Sequence, residues 1–211
     1  MLLRDEFADT ARSLIETGRR LDHRGLAPAT AGNFSVRLSD GSIAITVSGA
    51  HKGRLGESEI MRVSETGAAL DGKKPSAETL LHCLIYEAVP DAGAVLHTHS
   101  VAGTVLSKML CDAESISFAG YEMLKVYPGI TTHEASVALP LVENSQDMPA
   151  LAERLRPLLE TDAPPLPACY IRGHGLYAWG PTLAAAENIV EGSEFLLACE
   201  WERLKAQGAA R

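Results

Sequence analysis

The sequence lacks any apolar run that approaches the roughly 18 residues of a membrane-spanning helix, and it has no concentration of basic residues. Its net charge is −8, with acidic and basic side chains interspersed along the chain. This pattern excludes the basic surface that binds nucleic acid. The amino terminus carries acidic residues where a secretion signal is basic and then apolar. We therefore expect a cytoplasmic protein whose partners include neither membranes nor nucleic acids.

Cysteine is scarce, and the four cysteines do not have the C-x-x-C spacing of zinc knuckles and redox motifs. Cys83, Cys111, Cys169 and Cys199 each lie inside an apolar segment. Cysteines in such surroundings usually behave as small buried side chains. The sequence therefore predicts four buried, reduced thiols, in agreement with a cytoplasmic location.

The spacing of apolar residues predicts helices that alternate with short strands. Helices are expected over about 5–24, 76–88, 101–110, 148–160 and 183–205. Strands are expected over about 33–38, 42–48, 93–99, 115–120, 137–142, 168–172 and 175–179. A Pro-rich loop is predicted over 161–167. With 211 residues, 46% of them hydrophobic, this order favours one mixed α/β layer domain over 1–211 with a largely antiparallel sheet.

Three positions carry more detailed structural predictions. Ser76 is the expected N-cap of the second helix, because serine there accepts a hydrogen bond from a free backbone N–H. Pro181 is expected in the first turn of the last helix, where its missing N–H has no cost. Pro140 interrupts the strand over 137–142, which predicts a place at the edge of the sheet.

Three histidines are placed to share one metal ion. His97 and His99 end an apolar, β-branched run, and a strand directs residues at i and i+2 to the same face. His174 lies between two glycines, which let its backbone approach closely. A lone histidine is more often a hydrogen-bonded structural group, but a pair on one buried face needs partners that a shared metal supplies. Three imidazoles that leave a fourth position open predict a catalytic zinc site.

Three segments are typical of anion-binding loops, namely T-A-G-N-F-S, V-S-G-A-H-K and K-P-S-A. Their glycines and small hydroxyl side chains expose backbone N–H groups that can bind phosphate. The same residues are common in ordinary turns. Because the three segments accompany a predicted metal site, they favour a phosphorylated small molecule as the ligand.

Two glutamates are candidates for acid–base chemistry. Glu78 falls in the first turn of the second predicted helix, where the helix dipole favours a carboxylate. His82 follows four residues later and is expected to be its neighbour. Glu122 is a single acidic residue on a short predicted helix. From the residues alone, both glutamates fit routine surface positions.

The segments G-N-F-S, S-G, K-P-S-A-E-T, H-T-H and G-H-G, in that order, resemble the class II aldolase/adducin-like superfamily over about 5–200. Y-E-M-L-K, G-I-T-T-H-E, P-L-V-E-N-S-Q-D and I-R-G-H-G-L-Y-A-W-G are similar to one branch. The enzymes of that branch dehydrate 5-methylthioribulose 1-phosphate to 2,3-diketo-5-methylthiopentyl 1-phosphate in methionine salvage. The resemblance implies a three-layer α/β/α catalytic domain and a hydro-lyase.

The resemblance also implies roles for individual residues. One Zn²⁺ per subunit would be held by His97, His99 and His174 and would polarise the C2 ketone of the substrate. By position relative to H-T-H, Glu122 matches the acid/base residue of the dehydratase branch, and Glu78 matches that of the aldolases. A homotetramer with sites at the subunit boundaries is implied. The implied phosphate-binding residues are Gly32, Asn33, Ser48, Gly49, Lys52 and Ser76.

Two alternatives keep the same fold. A class II aldolase or a pentulose-phosphate 4-epimerase would use the same metal on another ketose phosphate, so the metal does not separate these reactions. Glu122 and a pocket for the methylthio group would separate them. A non-catalytic adducin-like scaffold is the other alternative, but such modules can lose the metal ligands, whereas this chain keeps the three histidines and both glutamates.

Overall fold

The computed structural model of the chain describes residues 5–161 and 166–209. Residues 1–4, which open the acidic amino terminus, and most of the predicted Pro-rich loop lie outside the described residues. None of the described helices combines the length and the apolarity that a bilayer-crossing segment requires.

Eight strands form one sheet in the described part of the chain. They are β1 (Asn33–Arg37), β2 (Ile43–Thr46), β3 (Ile60–Val63), β4 (Ala94–Thr98), β5 (Ser115–Ala119), β6 (Ser136–Val142), β7 (Ala168–Ile171) and β8 (Gly175–Gly180). Their spatial order is β3-β2-β1-β4-β8-β7-β6-β5. All neighbours are antiparallel except β6 and β7, which are parallel. The prediction of a mostly antiparallel sheet is confirmed.

Helices cover both faces of this sheet. They are α1 (Glu6–His23), α2 (Thr79–Ala88), α3 (Val101–Met109), α4 (Met148–Leu159) and α5 (Leu183–Ala209). One apolar core lies between the sheet and α1, α3 and α5, and a second lies between the sheet and α2 and α4. The result is the expected three-layer α/β/α arrangement, in which each helix buries its apolar side against the sheet.

Strand β4 shows how the sequence assigns side chains to the two faces. Ala94 and Leu96 belong to the core beneath α1, α3 and α5, whereas Val95 belongs to the core beneath α2 and α4. Because side chains alternate along a strand, His97 points to the same face as Val95, and Thr98 points toward α5. The hydroxyl of Thr98 accordingly donates to a carboxylate oxygen of Glu194 in α5.

The predicted start of the second helix and the predicted place of Pro181 are wrong. Helix α2 begins at Thr79, and its N-cap is Glu78 rather than Ser76. The N–H of Thr79 bonds to the carbonyl of Ser76, so residues 76–79 form a tight turn before the helix. Helix α5 begins at Leu183, as predicted, but Pro181 lies just before the helix rather than in its first turn. The Thr182 hydroxyl accepts from the N–H of Ala185, as a helix cap does.

Two predictions of position are also wrong. Strand β6 lies inside the sheet between β5 and β7, although it contains Pro140. Its pairing with β7 begins only at Leu141, so the missing N–H of Pro140 removes no bond of the sheet. Cys111 is exposed because it lies in the turn after α3, and Cys199 is only partly buried. Cys83 and Cys169 are buried, as expected.

Candidate metal centre and active site

The three histidines converge at the end of β4 and the turn between β7 and β8. Their nitrogen ligand atoms all lie within 4.8 Å of one another. The ring centroids of His97 and His99 are 4.5 Å apart, and that of His174 is 4.9 Å from His97 and 5.0 Å from His99. A group of three imidazoles at these distances can hold a metal ion.

Glycine makes this convergence possible, as the G-H-G pattern suggested. A Cβ atom on Gly175 would lie 2.2 Å from the carbonyl oxygen of Thr98 and 2.7 Å from the ring of His97. Gly173 has a φ of +65°, which non-glycine residues adopt only with strain. The β7–β8 turn can therefore bring His174 against the end of β4 only with glycine on both sides.

The ring of His97 is held with one nitrogen available. Its Nδ1 donates to the carbonyl oxygen of Leu176 at 2.9 Å, and the ring stacks on that of Tyr177 with the centroids 4.1 Å apart. Its Nε2 is buried and has no hydrogen-bond partner among the described residues. A buried polar atom without a partner is costly unless a ligand completes it, and metal-bound histidines characteristically donate their other N–H to such a carbonyl. The residues present therefore fit a metal ion.

The protonation of the histidines also fits a metal. Burial lowers the pKa of His97 well below its usual value. Burial, followed by the nearby His174, lowers the pKa of His99 to about 4. At neutral pH both rings are uncharged, so each keeps a lone pair for a cation.

Glu78 brings a carboxylate to the histidines. Its Oε1 lies 3.0 Å from Nε2 of His174 and 3.6 Å from Nε2 of His97, and its Oε2 accepts from the amide of Asn33. Burial alone would raise the pKa of Glu78, but hydrogen bonds from His174 and Asn33 and the nearby histidine rings lower it below the usual value. Glu78 is thus an ionised side chain of the site, and the expectation of a routine surface acid from its residue type alone is wrong.

The candidate phosphate loops border the same site. A cavity of about 240 Å³ adjoins Glu78, His99 and His174. Its lining includes every implied phosphate-binding residue, namely Gly32, Asn33, Ser48, Gly49, Lys52 and Ser76. A larger cavity of about 840 Å³ lies between α2 and α4 and is lined by none of the predicted site residues.

Lys52 is the positive charge of this cavity. The side chain is buried, and its ammonium donates to the carbonyl oxygens of Thr30 at 2.8 Å and Ala50 at 2.6 Å. Burial lowers the pKa of Lys52 to about 8. Since an ammonium has three donors, one remains for an anion in the cavity.

Glu122 lies elsewhere in the single chain. It begins a short 3₁₀ helix (Glu122–Val126) after β5, and its side chain is 70% exposed. Among the described residues it pairs with Lys125 at 2.6 Å and His133 at 3.4 Å. The hydrogen bond and charge of Lys125 lower the pKa of Glu122. The structure does not bring Glu122 to the cavity that adjoins the histidines.

Four residues beside Glu78 were not identified as a group from the sequence. Asn33 contacts His82, and Ser35 lies between His82 and Tyr86. His82 is therefore a neighbour of Asn33 rather than a direct partner of Glu78. The spacing held a signal for this group, since Asn33 and Ser35 share one face of a strand and His82 and Tyr86 share one face of a helix.

A sequence model of the family described as Class II Aldolase and Adducin N-terminal domain matches residues 12–201. This span includes the three histidines and both glutamates. The chain belongs to this family.

Relatives in the class II aldolase family include proteins named methylthioribulose-1-phosphate dehydratase. The one from Gluconacetobacter diazotrophicus is 51% identical over 207 residues, which are 97% of this chain and 98% of that protein. The one from Granulibacter bethesdensis is 52% identical over 198 residues, 92% of this chain and 91% of that protein. Among solved structures, an L-fuculose 1-phosphate aldolase has a TM-score of 0.77 and 27% identity, covering 95% of this chain and 88% of its own. The expected class II aldolase fold is confirmed.

Proposed function

We propose that this protein is a zinc-dependent hydro-lyase that converts 5-methylthioribulose 1-phosphate to 2,3-diketo-5-methylthiopentyl 1-phosphate in methionine salvage. The observation that carries the proposal is the meeting of three histidines and Glu78 with loops suited to phosphate at one cavity. The metal-centred arrangement alone fits several reactions. The names of relatives about half identical over nearly the whole chain select dehydration among them.

His97, His99 and His174 are the residues that would hold the metal. When bound there, zinc would supply Lewis-acid polarisation of the C2 ketone, which acidifies the proton on C3. Zinc fits the ligand set because three neutral imidazoles with an open position are typical of its catalytic sites. The carbonyl of Leu176 keeps Nδ1 of His97 protonated and leaves Nε2 free to bind.

Two carboxylates are proposed for the proton transfers. Glu122 is the main acid/base, and Glu78 is the second carboxylate beside the metal ligands. The base removes the C3 proton, the C3–H electrons form a C3–C4 double bond, and the C4–O bond breaks as the protonated carboxyl returns its proton to the leaving hydroxyl. The products are one water and an enol, which loses the proton of its C3 hydroxyl and gains one at C4 to become the 2,3-diketone.

The phosphate group is proposed to occupy the cavity that adjoins the metal ligands. Its proposed binding residues are Gly32, Asn33, Ser48, Gly49, Lys52 and Ser76. Gly49 has a φ of +76°, so the V-S-G turn presents its backbone in the conformation from which N–H groups can face an anion. Lys52 adds a buried positive charge, which makes the site selective for a phosphorylated ligand.

We also propose a homotetramer whose active sites lie at subunit boundaries, with each chain acting as one catalytic domain. Glu122 is exposed and apart from its own histidines, so a neighbouring subunit would have to present it to them. Large apolar side chains are exposed at Val101, Met109, Met123 and Phe195, which is typical of surfaces that bury each other. The unpaired cysteines suit the proposed cytoplasmic location.

A class II aldolase, or a 4-epimerase, acting on another ketose phosphate is the second candidate. It is favoured by the position of Glu78 beside His174 and by the L-fuculose 1-phosphate aldolase among the structural neighbours. Incubation of the metal-loaded protein with 5-methylthioribulose 1-phosphate separates the candidates. Dehydration gives one product that has lost a water, whereas cleavage gives two carbon fragments and epimerisation leaves the mass unchanged. A scaffold would give no reaction.

A further inference from the structure

A row of five polar side chains runs from Glu78 into the layer between β1 and α2. The Asn33 amide donates to Oε2 of Glu78, and the Asn33 side-chain oxygen contacts Nε2 of His82. Nδ1 of His82 lies 2.7 Å from Oγ of Ser35, which in turn lies 2.8 Å from the hydroxyl of Tyr86. Asn33, Ser35, His82 and Tyr86 are buried, so their polar atoms need partners within the protein.

The hydrogens of this row can be assigned from one end. The Asn33 amide presents its NH₂, which only donates, to Glu78 and its oxygen, which only accepts, to Nε2 of His82. Nε2 of His82 must then carry the hydrogen, because two acceptors would otherwise face each other. Burial lowers the pKa of His82 to about 4, so the ring is neutral and its Nδ1 is an acceptor.

The other end of the row follows from this assignment. Ser35 has one hydroxyl hydrogen, and Nδ1 of His82 at 2.7 Å is its closest acceptor. The alternative acceptor, the carbonyl oxygen of Val95, is 3.5 Å away. The Tyr86 hydroxyl must therefore donate to Ser35. Each member donates toward Glu78, and each hydrogen bond polarises the next.

We propose that His82 is a positioning residue that holds the Asn33 amide in the one orientation that fixes the Glu78 carboxylate beside His97 and His174. Without the N–H of His82, the Asn33 amide could turn its oxygen toward Glu78, and two acceptors would repel each other. Glu78 would then leave the position from which it faces the two histidines. The inference rests on the proposed function only in treating Glu78 as a carboxylate of the reaction. The positions of the hydrogens along the row do not depend on which reaction the protein catalyses.

The order of hydrogens can be observed directly by neutron diffraction from crystals of the deuterium-exchanged, metal-loaded protein without substrate. We expect deuterium on Nε2 of His82 and none on Nδ1, with the Ser35 hydroxyl directed at Nδ1. Deuterium on Nδ1 with Nε2 bare would overturn the proposal. This result is decisive even if the protein turns over a different ketose phosphate, so it is separate from a failure of the proposed function.

The positioning role is tested by His82→Leu and Ser35→Ala, measured for kcat, KM, metal content and melting temperature. We expect His82→Leu to lower kcat on the order of 100-fold by misplacing Glu78. Ser35→Ala, which leaves His82 in place but removes the donor to Nδ1, should lower kcat about tenfold. Both should retain the metal, since neither residue contacts the three histidines by a hydrogen bond among the described residues. If His82→Leu fails to fold, the smaller change Ser35→Ala still tests the positioning role, because its expected loss of kcat is either present or absent.

Two further comparisons separate positioning from general support of the fold. Thr79→Val removes a buried hydroxyl that has no hydrogen-bond partner among the described residues, one helical turn from His82, and it should leave kcat unchanged. In an Asn33→Ala background, His82→Leu should reduce kcat less than about twofold further, because the two residues act in series. Wild-type kcat in folded, metal-loaded His82→Leu, or fully additive losses in the double variant, would overturn the proposal.

Discussion

Oε1 of Glu78 lies 3.0 Å from Nε2 of His174, although the two residues belong to different layers of the structure. Glu78 comes from the start of α2, and His174 comes from the turn between β7 and β8. The fold therefore places a carboxylate at the three histidines within one chain. The arrangement suits both dehydration and carbon–carbon cleavage, so the proposed role of Glu122 is what should distinguish the two.

Glu122→Gln should lose turnover while it retains the metal. A glutamine keeps the size of the side chain but cannot carry the proton, so kcat should fall by about 100- to 10,000-fold. Glu78→Gln should keep more activity than Glu122→Gln. Steady-state kinetics with metal analysis of both variants checks this order, and the reverse order would make Glu78 the main acid/base.

Mixed tetramers test whether Glu122 reaches the histidines of another subunit. Glu122→Gln and His99→Ala subunits should each be inactive alone, but refolding them together at equal amounts should restore about a quarter of the wild-type activity per site. Sites would then combine intact histidines from one chain with intact Glu122 from another. As the control, a chain carrying both substitutions mixed with Glu122→Gln should remain inactive. No recovery in assembled mixed tetramers would place Glu122 outside the shared site.

Lys52 should make the affinity for phosphorylated substrate depend on pH. Its pKa of about 8 means that its positive charge is lost as the pH rises through that value, so KM should increase there. Lys52→Met should raise KM about 10- to 100-fold, because a hydrogen bond to a charged phosphate is lost, and should abolish this alkaline rise. Kinetics between about pH 6 and 9 with the phosphorylated substrate check both effects. A KM in Lys52→Met that still rises above pH 8 would assign the rise to another group.

Glu194 should make stability depend on pH. Burial raises the pKa of Glu194 from its usual value of about 4.5 to about 7, so the folded state keeps a proton that the unfolded state has lost between these pH values. This stabilisation is fully present below about pH 4.5 and is lost as the pH rises to about 7. Glutamine stays uncharged at both pH values, so Glu194→Gln avoids this loss. The free energy of unfolding of Glu194→Gln minus that of wild type should therefore rise by about 3 kcal/mol between acidic and neutral pH. Urea unfolding at about pH 4.5 and 8 measures it.

The matched control for Glu194 is Glu202→Gln on the same helix. Glu202 is exposed and pairs only with Lys205 among the described residues, and exposed pairs contribute little to stability. Its effect on unfolding should differ little between the two pH values. An equal pH dependence in both variants would show that burial of Glu194 is not the cause.

Much of the candidate metal site could be predicted from local sequence. His97 and His99 share one face because strand side chains alternate, and the glycines beside His174 permit the close approach to Thr98. These are short-range rules, and the structure follows them. The start of α2 was predicted less well, because a serine followed by a helical pattern fits both an N-cap and the tight turn that residues 76–79 form.

The remaining features depend on contacts between distant segments. Whether Glu78 faces solvent or the histidines depends on how α2 packs on the sheet, which residue type alone does not determine. The order His82–Asn33–Glu78 likewise joins a strand to a helix about fifty residues later. Pro140 predicted an edge strand, but the stagger between β6 and β7 decides whether its missing N–H matters.

The most direct test of the central claim is the mass of the product formed from 5-methylthioribulose 1-phosphate. Zinc-loaded protein should give a single phosphorylated product that is lighter than the substrate by one water, and the same protein after zinc removal by a chelator should give none. His99→Ala, which lacks one proposed ligand, is the matched control and should also be inactive. Two carbon fragments in place of the dehydrated product, or full dehydration by folded zinc-free protein, would contradict the account.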